Sequence, residues 1–206
     1  ITGEEEALLA VLSAQQNFNL SNNRYALLDI GGGSAEIVTA MRRLLENVYS
    51  LDLGTVRMAE EFITSDPVSA DQYRKLKNHI KKQLRIKVNE EGFAPAWIIG
   101  SGGTITSIGH LVKTMRGEKY DSVHGYEVRR SEIVHLLAML VRTTGKERRN
   151  LAGLSPDRID LIIPGIVLVN QVMKHLGANV LRINERGIRE GLIIRSLENQ
   201  RIGTNK

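Results

Sequence analysis

The chain has 206 residues, of which 42% are hydrophobic, so it can bury a substantial core as one domain. Because it contains no cysteine, a disulfide framework and a thiolate metal site are excluded, and the composition fits a reducing, cytoplasmic compartment. The formal net charge of +5 favours anionic partners, and we expect no membrane partner because the sequence has neither an apolar run of transmembrane length nor a secretory signal pattern.

The first predicted element is a helix from Thr2 to about residue 16. Thr2 and Glu5 have the spacing of a capping box, in which each side chain bonds the backbone amide of the other residue. With Leu8 and Leu12 as its apolar stripe, the helical period places Glu6 on the opposite flank. On that flank Glu6 faces either a cleft or bulk water.

A glycine-rich hairpin follows this helix. It has one strand over residues 24–30, a turn of three glycines and a returning strand over residues 34–39. We expect Gly31, Gly32 and Gly33 to adopt positive φ values and, with Ser34, to expose a row of backbone amides. Such a row is a nest for an anion, usually a phosphate.

Two carboxylates bracket the glycine turn. Asp29 lies at the end of the first strand and Glu36 lies just inside the second. They would repel a phosphate unless a divalent cation lay between them, and Mg²⁺ binds in this way, through one or two carboxylates, phosphate oxygens and waters. We therefore expect Asp29 and Glu36 to hold Mg²⁺. The alternative is a structural hairpin with two solvated acids.

Next come a third strand over about residues 45–53 and a helix over residues 54–62. A long basic helix follows from Asp71 to Val88, and Ser69 marks its start. Its predicted buried stripe consists of apolar residues that recur every four positions: Leu76, Ile80, Leu84 and Val88. Lysines and arginines surround the stripe, and they form either a solvated outer face or a basic flank that grips a long polyanion. Aromatic residues are only 4% of the chain, which disfavours a stacking platform for nucleic acid.

A second glycine loop, Gly100-Ser-Gly-Gly-Thr104, joins a strand over residues 97–99 to a helix. A turn of this kind directs free amides and the positive end of the helix at one point, which suits a phosphate. The loop is not a dinucleotide fingerprint, because Ile105 stands where the third glycine would fall, and the chain has no P-loop sequence.

The remaining elements complete one continuous α/β domain. A polar linker over residues 116–125 precedes a helix that Ser131 caps, and Ser155 caps a long apolar helix that is kinked or interrupted at Pro164. A strand over residues 180–183 and a helix over residues 188–197 close the domain. The histidines have no metal-ligand spacing, and only His124, in the linker, is a candidate for chemistry.

Four segments of the chain, in this order, resemble the motifs of the exopolyphosphatase and guanosine pentaphosphate phosphohydrolase family: Ile1-Thr-Gly-Glu-Glu-Glu-Ala7, Asp29-Ile-Gly-Gly-Gly-Ser-Ala-Glu36, Gly100-Ser-Gly-Gly-Thr104 and Arg186-Gly-Ile-Arg-Glu-Gly191. That family belongs to the superfamily of actin, sugar kinases and heat-shock chaperone ATPases. The resemblance implies an α/β fold of the ribonuclease H-like, actin-type ATPase lobe, with a mixed sheet flanked by helices. It also implies that residues 1–206 are a single second, C-terminal lobe and that the first lobe is absent from this chain.

The resemblance also implies a role for each site residue. Glu6 corresponds to the catalytic glutamate of the family, and Asp29 and Glu36 correspond to the acids that organise the metal and its waters. The two glycine loops correspond to phosphate-binding loops, which comprise Gly31, Gly32, Gly33, Ser34, Gly102, Gly103 and Thr104.

The implied reaction is the Mg²⁺-dependent release of terminal phosphate from inorganic polyphosphate, from guanosine pentaphosphate or from both. Without the first lobe, we expect the isolated chain to fold but not to hydrolyse. The implied partners are the substrate, the missing first lobe and a second copy in a homodimer of the complete protein, and no nucleic acid is expected. Two alternatives stay open: an ATP-binding lobe of a kinase- or chaperone-like protein, and a non-catalytic sensor of polyphosphate or nucleotide.

Overall fold

The computed structural model describes residues 2–20, 23–42, 44–119 and 121–203. The strands within these ranges are β1 (Arg24–Ile30), β2 (Ala35–Met41), β3 (Leu44–Leu51), β4 (Trp97–Ser101), β5 (Glu127–Arg129) and β6 (Val180–Ile183). They form one sheet in the order β3-β2-β1-β4-β6-β5. β1, β4 and β6 run parallel, whereas β2, β3 and β5 pair antiparallel with their neighbours, so the sheet is mixed as predicted.

Helices cover both faces of the sheet. They are α1 (Gly3–Asn17), α2 (Thr55–Phe62), α3 (Ala70–Lys87), α4 (Gly103–Met115), α5 (Arg130–Leu140), α6 (Gly145–Arg148), α7 (Ile162–Leu176) and α8 (Ile188–Gly203). Alternate residues of β1 point to opposite faces: Leu27 joins the apolar cluster under α1, and Leu28 joins the larger cluster under α3, α4 and α7. A sheet buried on both faces needs apolar residues on both, which explains the nearly continuous apolar sequence of β1.

The start of α1 agrees with the predicted capping box. The amide of Thr2 donates to Oε2 of Glu5 at 2.9 Å, and the amide of Glu5 donates to Oγ1 of Thr2 at 3.2 Å. The predicted stripe of α1 is wrong, however, because Leu8 is 40% exposed and Leu12 is only partly buried. Small residues fill most of the buried face of α1, which lies between the sheet and α8: Ala7, Leu9, Ala10, Val11, Ser13 and Ala14.

The long basic helix is confirmed as α3. The hydroxyl of Ser69 accepts a hydrogen bond from the amide of Gln72 at 3.3 Å and so caps the helix. The four predicted stripe residues are all buried: Leu76, Ile80, Leu84 and Val88. The strand predicted over residues 180–183 is β6.

Two predicted caps are wrong. β5 runs directly into α5, so the cap of α5 is Arg129 and not Ser131. Ser155 caps only a 3₁₀ turn, Pro156–Arg158, and α7 begins after it at Ile162. Pro164 therefore lies in the first turn of α7, where its missing amide breaks no helical hydrogen bond, and the helix is not interrupted.

Three further elements differ from the prediction. α8 continues to Gly203 instead of ending near residue 197, and the short elements β5 and α6 were not predicted. Elements of three or four residues are too short to show a recognisable hydrophobic period. Within the described ranges, no helix combines the length and the apolar character that crossing a membrane would require.

Candidate active site

Four polar residues form one row across the sheet, where β1 and β4 end. The strand register places Ser50, Glu36, Asp29 and Ser101 side by side on β3, β2, β1 and β4. The two central carboxylates are buried, with Glu36 only 2% exposed and Asp29 only 8% exposed. Ligands of open α/β sheets bind outside the carboxyl ends of parallel strands, so this row lies at the edge where a ligand is expected.

The outer serines of the row bond the inner carboxylates. The hydroxyl of Ser101 donates to Oδ1 of Asp29, and the hydroxyl of Ser50 donates to Oε1 of Glu36 at 3.1 Å. The side chain of Ser34 also bonds Glu36. Burial nevertheless raises the pKa of both carboxyl groups above their ordinary values, because these hydrogen bonds offset only part of the loss of solvation.

α1 brings Glu6 to the same two carboxylates. After burial, the negative charge of Glu6 is a further cause of the raised pKa of both Asp29 and Glu36. The first turn of the helix packs closely against the row, since a Cβ atom at Gly3 would lie 2.4 Å from Oγ of Ser50 and 3.5 Å from Oε1 of Glu36. Of the two orientations that the sequence allowed, the structure therefore favours the one in which Glu6 faces the row.

This arrangement of charge fits a divalent cation. Within the described ranges, no group of three or more histidine and acidic side chains has the spacing to hold a metal ion directly. Mg²⁺ needs fewer protein ligands, since it retains waters and uses phosphate oxygens together with one or two carboxylates. Asp29 and Glu36 suit that role, because a cation between them would stabilise the ionised forms that burial disfavours.

The raised pKa of Asp29 predicts that the Asp29→Asn variant is more stable than the parent chain near neutral pH. A folded-state pKa above the unfolded value means that stability falls as pH rises from the ordinary carboxyl value towards the raised one. Asparagine removes this loss, so we expect the melting temperature of the variant near neutral pH to exceed that of the parent.

Thermal melts across a pH series check this expectation. The difference between variant and parent should vanish below the ordinary carboxyl pKa and should shrink when Mg²⁺ is added. The control is Glu61→Gln, which neutralises an exposed acid on α2. A melting temperature of Asp29→Asn below that of the parent at neutral pH would contradict an electrostatically strained site.

The first glycine loop differs in conformation from the prediction. None of Gly31, Gly32 and Gly33 has φ in the left-handed region. The amide of Gly31 is used inside the hairpin, where it donates to the carbonyl of Ser34 at 3.0 Å. The expectation of a nest formed by positive φ values is therefore wrong, and the amide of Gly31 is not available to a ligand.

The start of α2 orients the other amides of this loop. The amide of Thr55 donates to the carbonyl of Gly31 at 3.0 Å, the amide of Val56 to that of Gly32 at 3.0 Å, and the amide of Gly54 to that of Gly33 at 3.2 Å. Because the carbonyl and amide of one trans peptide point in opposite directions, the amides of residues 32, 33 and 34 point away from α2. Three successive amides aimed away from the helix suit an anion.

The second glycine loop lies beside the first, because β4 is the parallel neighbour of β1. Gly102 caps α4 with φ of +98°, and a Cβ atom there would lie 2.6 Å from the carbonyl oxygen of Ile30, so only glycine fits. Gly103 and Thr104 form the first turn of α4, whose amides are available to an anion. The side chain of Thr104 is buried against Gly165, so only its backbone could contact a ligand.

Arg158 is a further candidate site residue, which no sequence motif indicated. A Cβ atom built on Gly103 would lie 2.5 Å from Cζ of Arg158, so the guanidinium lies on the first turn of α4. Its Nε also lies 3.2 Å from Oδ2 of Asp157. A guanidinium beside phosphate-binding amides adds charge-assisted hydrogen bonds. No local pattern around the 3₁₀ turn signals this role, because the contact joins segments about fifty residues apart.

Two hollows flank the first turn of α4. One is a cleft of about 410 Å³, in which Asp29 and Gly102 face the start of α8. The start of α8 lies within the fourth sequence motif, and there Oε2 of Glu190 accepts the amide of Gly187 at 2.8 Å while Arg189 lines the cleft. The other hollow, of about 390 Å³, lies between α4 and Arg158. The two hollows adjoin each other at Gly103 and Thr106, which line both, and the combined space extends from the second glycine loop to Asp29.

His124 lies apart from this space. Its ring packs against Phe18 in a tilted orientation with 5.3 Å between the ring centroids, and its amide donates to Oε2 of Glu185 at 3.2 Å. Neither hollow has His124 among its lining residues. The structure therefore gives no support to a chemical role for His124.

Two curated exopolyphosphatases resemble this chain over most of its length. Exopolyphosphatase 2 of Mycobacterium tuberculosis is 28% identical over 200 residues, which are 94% of this chain and 62% of that protein. Exopolyphosphatase 1 of Mycobacterium bovis is 29% identical over 211 residues, which are 99% of this chain and 60% of that protein. The chain thus spans about three fifths of the length of these curated relatives.

A solved structure confirms the predicted fold class. The crystal structure of the Aquifex aeolicus member of the Ppx/GppA protein family superposes on this chain with a TM-score of 0.85. The identity is 24%, and the match covers 97% of this chain and 64% of that one. The family model described as the Ppx/GppA phosphatase family matches residues 1–200. The sequence motifs, the mixed sheet and this match agree, and the chain belongs to the Ppx/GppA phosphatase family.

Proposed function

We propose that the complete protein is a phosphohydrolase that releases terminal phosphate from inorganic polyphosphate, from guanosine pentaphosphate or from both. Family membership and the names of the relatives support phosphatase chemistry. The observation that carries the proposal is the meeting of Glu6, Asp29 and Glu36 beside two loops whose amides suit phosphate.

In this proposal each part of the site has one role. The amides of residues 32–34 and the first turn of α4 hold phosphate oxygens, and Arg158 adds a positive charge at Gly103. Glu6 accepts a proton from the attacking water, which must lie in line with the bond that breaks. Mg²⁺, held by Asp29 and Glu36, would neutralise phosphate charge when bound. The serines of the row keep these two carboxylates oriented.

The hollow beside Arg158 favours a nucleotide as one of the substrates. It is lined by Thr106, Ser107 and His110 and, at about 390 Å³, has the size of a small-molecule site. It adjoins the second glycine loop through Gly103, so a nucleoside there would have its phosphates near the amides of α4. The same hollow keeps the ATP-binding alternative open. Retention of ATP by the protein on gel filtration would favour that alternative.

We also propose that this chain is the second lobe of a two-lobe protein that forms a homodimer when complete. The cleft beside Asp29 is open, and phosphoryl transfer depends on positioning the substrate from all sides. A first lobe would supply the opposite wall and a second phosphate loop. The isolated chain would then bind phosphate weakly and would not turn over substrate.

Phosphate release from long-chain polyphosphate and from guanosine pentaphosphate tests the proposal. The complete protein should release phosphate from at least one of them with Mg²⁺ and much more slowly with excess chelator. The chain alone should release none under the same conditions. Turnover by the chain at the rate of the complete protein would contradict the two-lobe proposal, and inactivity of the complete protein on both substrates would contradict the phosphohydrolase proposal.

A further inference from the structure

A small cavity lies between α3 and α7, away from the candidate active site. Its volume is about 70 Å³, several times the ~10–15 Å³ that one water molecule needs. None of the residues that line it also lines the cleft beside Asp29. We call it the α3–α7 cavity.

A buried amide lines the α3–α7 cavity. Gln171 is only 5% exposed, yet its side chain makes no hydrogen bond within the part of the chain that the structure describes. Buried side-chain amides are nearly always hydrogen-bonded, because an unmet donor loses its hydration without compensation. The side-chain amide of Gln171 is therefore available to a polar group that occupies the cavity, either water or a ligand.

Three of the six other lining residues are lysine or arginine. Lys81 and Arg85 come from α3 and Lys174 from α7, against a single acid, Glu91. Among the described residues, none of these three cations forms an ion pair, although other basic residues of α3 do, such as Lys75 with Asp71 at 2.9 Å. Three free cations and a free amide around one small space suit a compact oxyanion.

The walls of the cavity are fixed by backbone contacts. Nε2 of His175 lies 2.9 Å from the carbonyl oxygen of Val88, and because a carbonyl only accepts, that nitrogen carries the proton. The amide of Gly92 donates to the carbonyl of His175 at 3.0 Å. These hydrogen bonds hold the C-terminal ends of α3 and α7 in place, so the cavity is preformed.

We propose that the α3–α7 cavity binds the oxyanion of a phosphate group at a site separate from the active site. Gln171 donates one hydrogen bond from within the cavity, and Lys81, Arg85 and Lys174 neutralise the charge. The volume of about 70 Å³ admits one tetrahedral group. The phosphate is either free orthophosphate or one unit of a polyphosphate chain that continues along the exposed face of α3, where Lys82 and Asn78 share a hollow with Lys81 and Arg85.

The side-chain amide of Gln171 provides a direct probe of this site. In ¹⁵N-labelled chain, its NH₂ resonances, identified by their loss in Gln171→Leu, should shift saturably on titration with orthophosphate or with polyphosphate of defined length. The reference titration uses chloride at matched ionic strength. Because the signal is read at Gln171, it does not depend on turnover or on phosphate bound near Asp29.

Two charge-matched double variants distinguish specific binding in the cavity from nonspecific electrostatic attraction of the anion to a basic surface. Lys81→Ala with Arg85→Ala should weaken the affinity at Gln171 roughly tenfold or more. Lys77→Ala with Arg142→Ala removes two exposed cations outside the cavity and should change the affinity less than about twofold.

The two anions distinguish the source of the phosphate. Equal affinities for orthophosphate and for polyphosphate, expressed per phosphate unit, would identify free orthophosphate as the ligand. Binding of polyphosphate that is at least tenfold tighter would identify the polyphosphate chain as the ligand. Absence of a saturable shift with either anion, or equal weakening in both double variants, would overturn the proposal and leave α3 as a solvated basic face.

Discussion

Replacing Glu6 with glutamine in the complete protein should lower the rate of phosphate release by about two to four orders of magnitude. Glutamine keeps the size of the side chain but cannot accept the proton of the attacking water. Polyphosphate affinity should stay the same or increase, because the variant removes one negative charge from a cluster where Glu6 already opposes ionisation of Asp29 and Glu36. Single-turnover rates and equilibrium binding, measured on the same preparation, separate the two effects.

Glu4→Gln is the matched control for this experiment. Glu4 belongs to the same first turn of α1, but it is exposed, and it is not among the charges that raise the pKa of Asp29 or Glu36. Its replacement should leave turnover within about a factor of two, since a solvated charge at a helix start contributes little. Near-normal turnover of Glu6→Gln would mean that Glu6 is only a helix-start charge and that the base lies elsewhere in the complete protein.

Local sequence patterns were sufficient to predict the parts of the site that depend on neighbours in the chain. A short glycine turn fixes the register of its hairpin, so Asp29 and Glu36 had to lie close together. The capping box at Thr2 fixed where α1 begins, and the glycines before Thr104 fixed where α4 begins. In each case the determining interactions span only a few residues.

Contacts between distant segments decided what the sequence could not predict. Gly191 of α8 approaches α1 so closely that a Cβ atom there would lie 2.1 Å from the carbonyl oxygen of Leu9. With α8 and the sheet both against it, α1 buries a wide face of mostly small side chains, and Leu8 points outwards. The periodicity of large apolar residues was therefore a poor guide to the orientation of Glu6. Arg158 escaped detection because its partner, Gly103, lies in another part of the sequence.

The first glycine loop shows the same dependence on a distant partner. Its carbonyls are held by the start of α2, about twenty residues later in the chain, and not by positive φ values of its own glycines. This contact requires close approach of two backbones. A Cβ atom at Gly54 would lie 2.2 Å from the carbonyl oxygen of Gly32 and 2.3 Å from the carbonyl carbon of Gly33.

Gly54→Ala should therefore damage both the fold and phosphate binding. The added methyl group cannot be accommodated without moving the backbone of the loop, which typically costs about 1–3 kcal/mol or more, equivalent to a fall of several degrees in melting temperature. The same movement turns the amides of residues 32–34 away from their common direction, so affinity for a phosphate analogue should fall at temperatures where the variant is fully folded.

Gly33→Ala is the control that separates the steric effect of an added methyl group from the loss of a glycine in the same region. A Cβ atom at Gly33 meets nothing within 4 Å, and its φ lies outside the left-handed region, so alanine fits without strain. Its melting temperature should equal or slightly exceed that of the parent. Alanine lowers the conformational entropy of the unfolded chain, which stabilises the folded state by about 0.4–1 kcal/mol. Thermal melts and titration of a phosphate analogue on both variants test the argument. If Gly54→Ala matched Gly33→Ala in stability and in binding, α2 could not be what orients the amides of the loop, and the three glycines would have to hold that conformation by themselves.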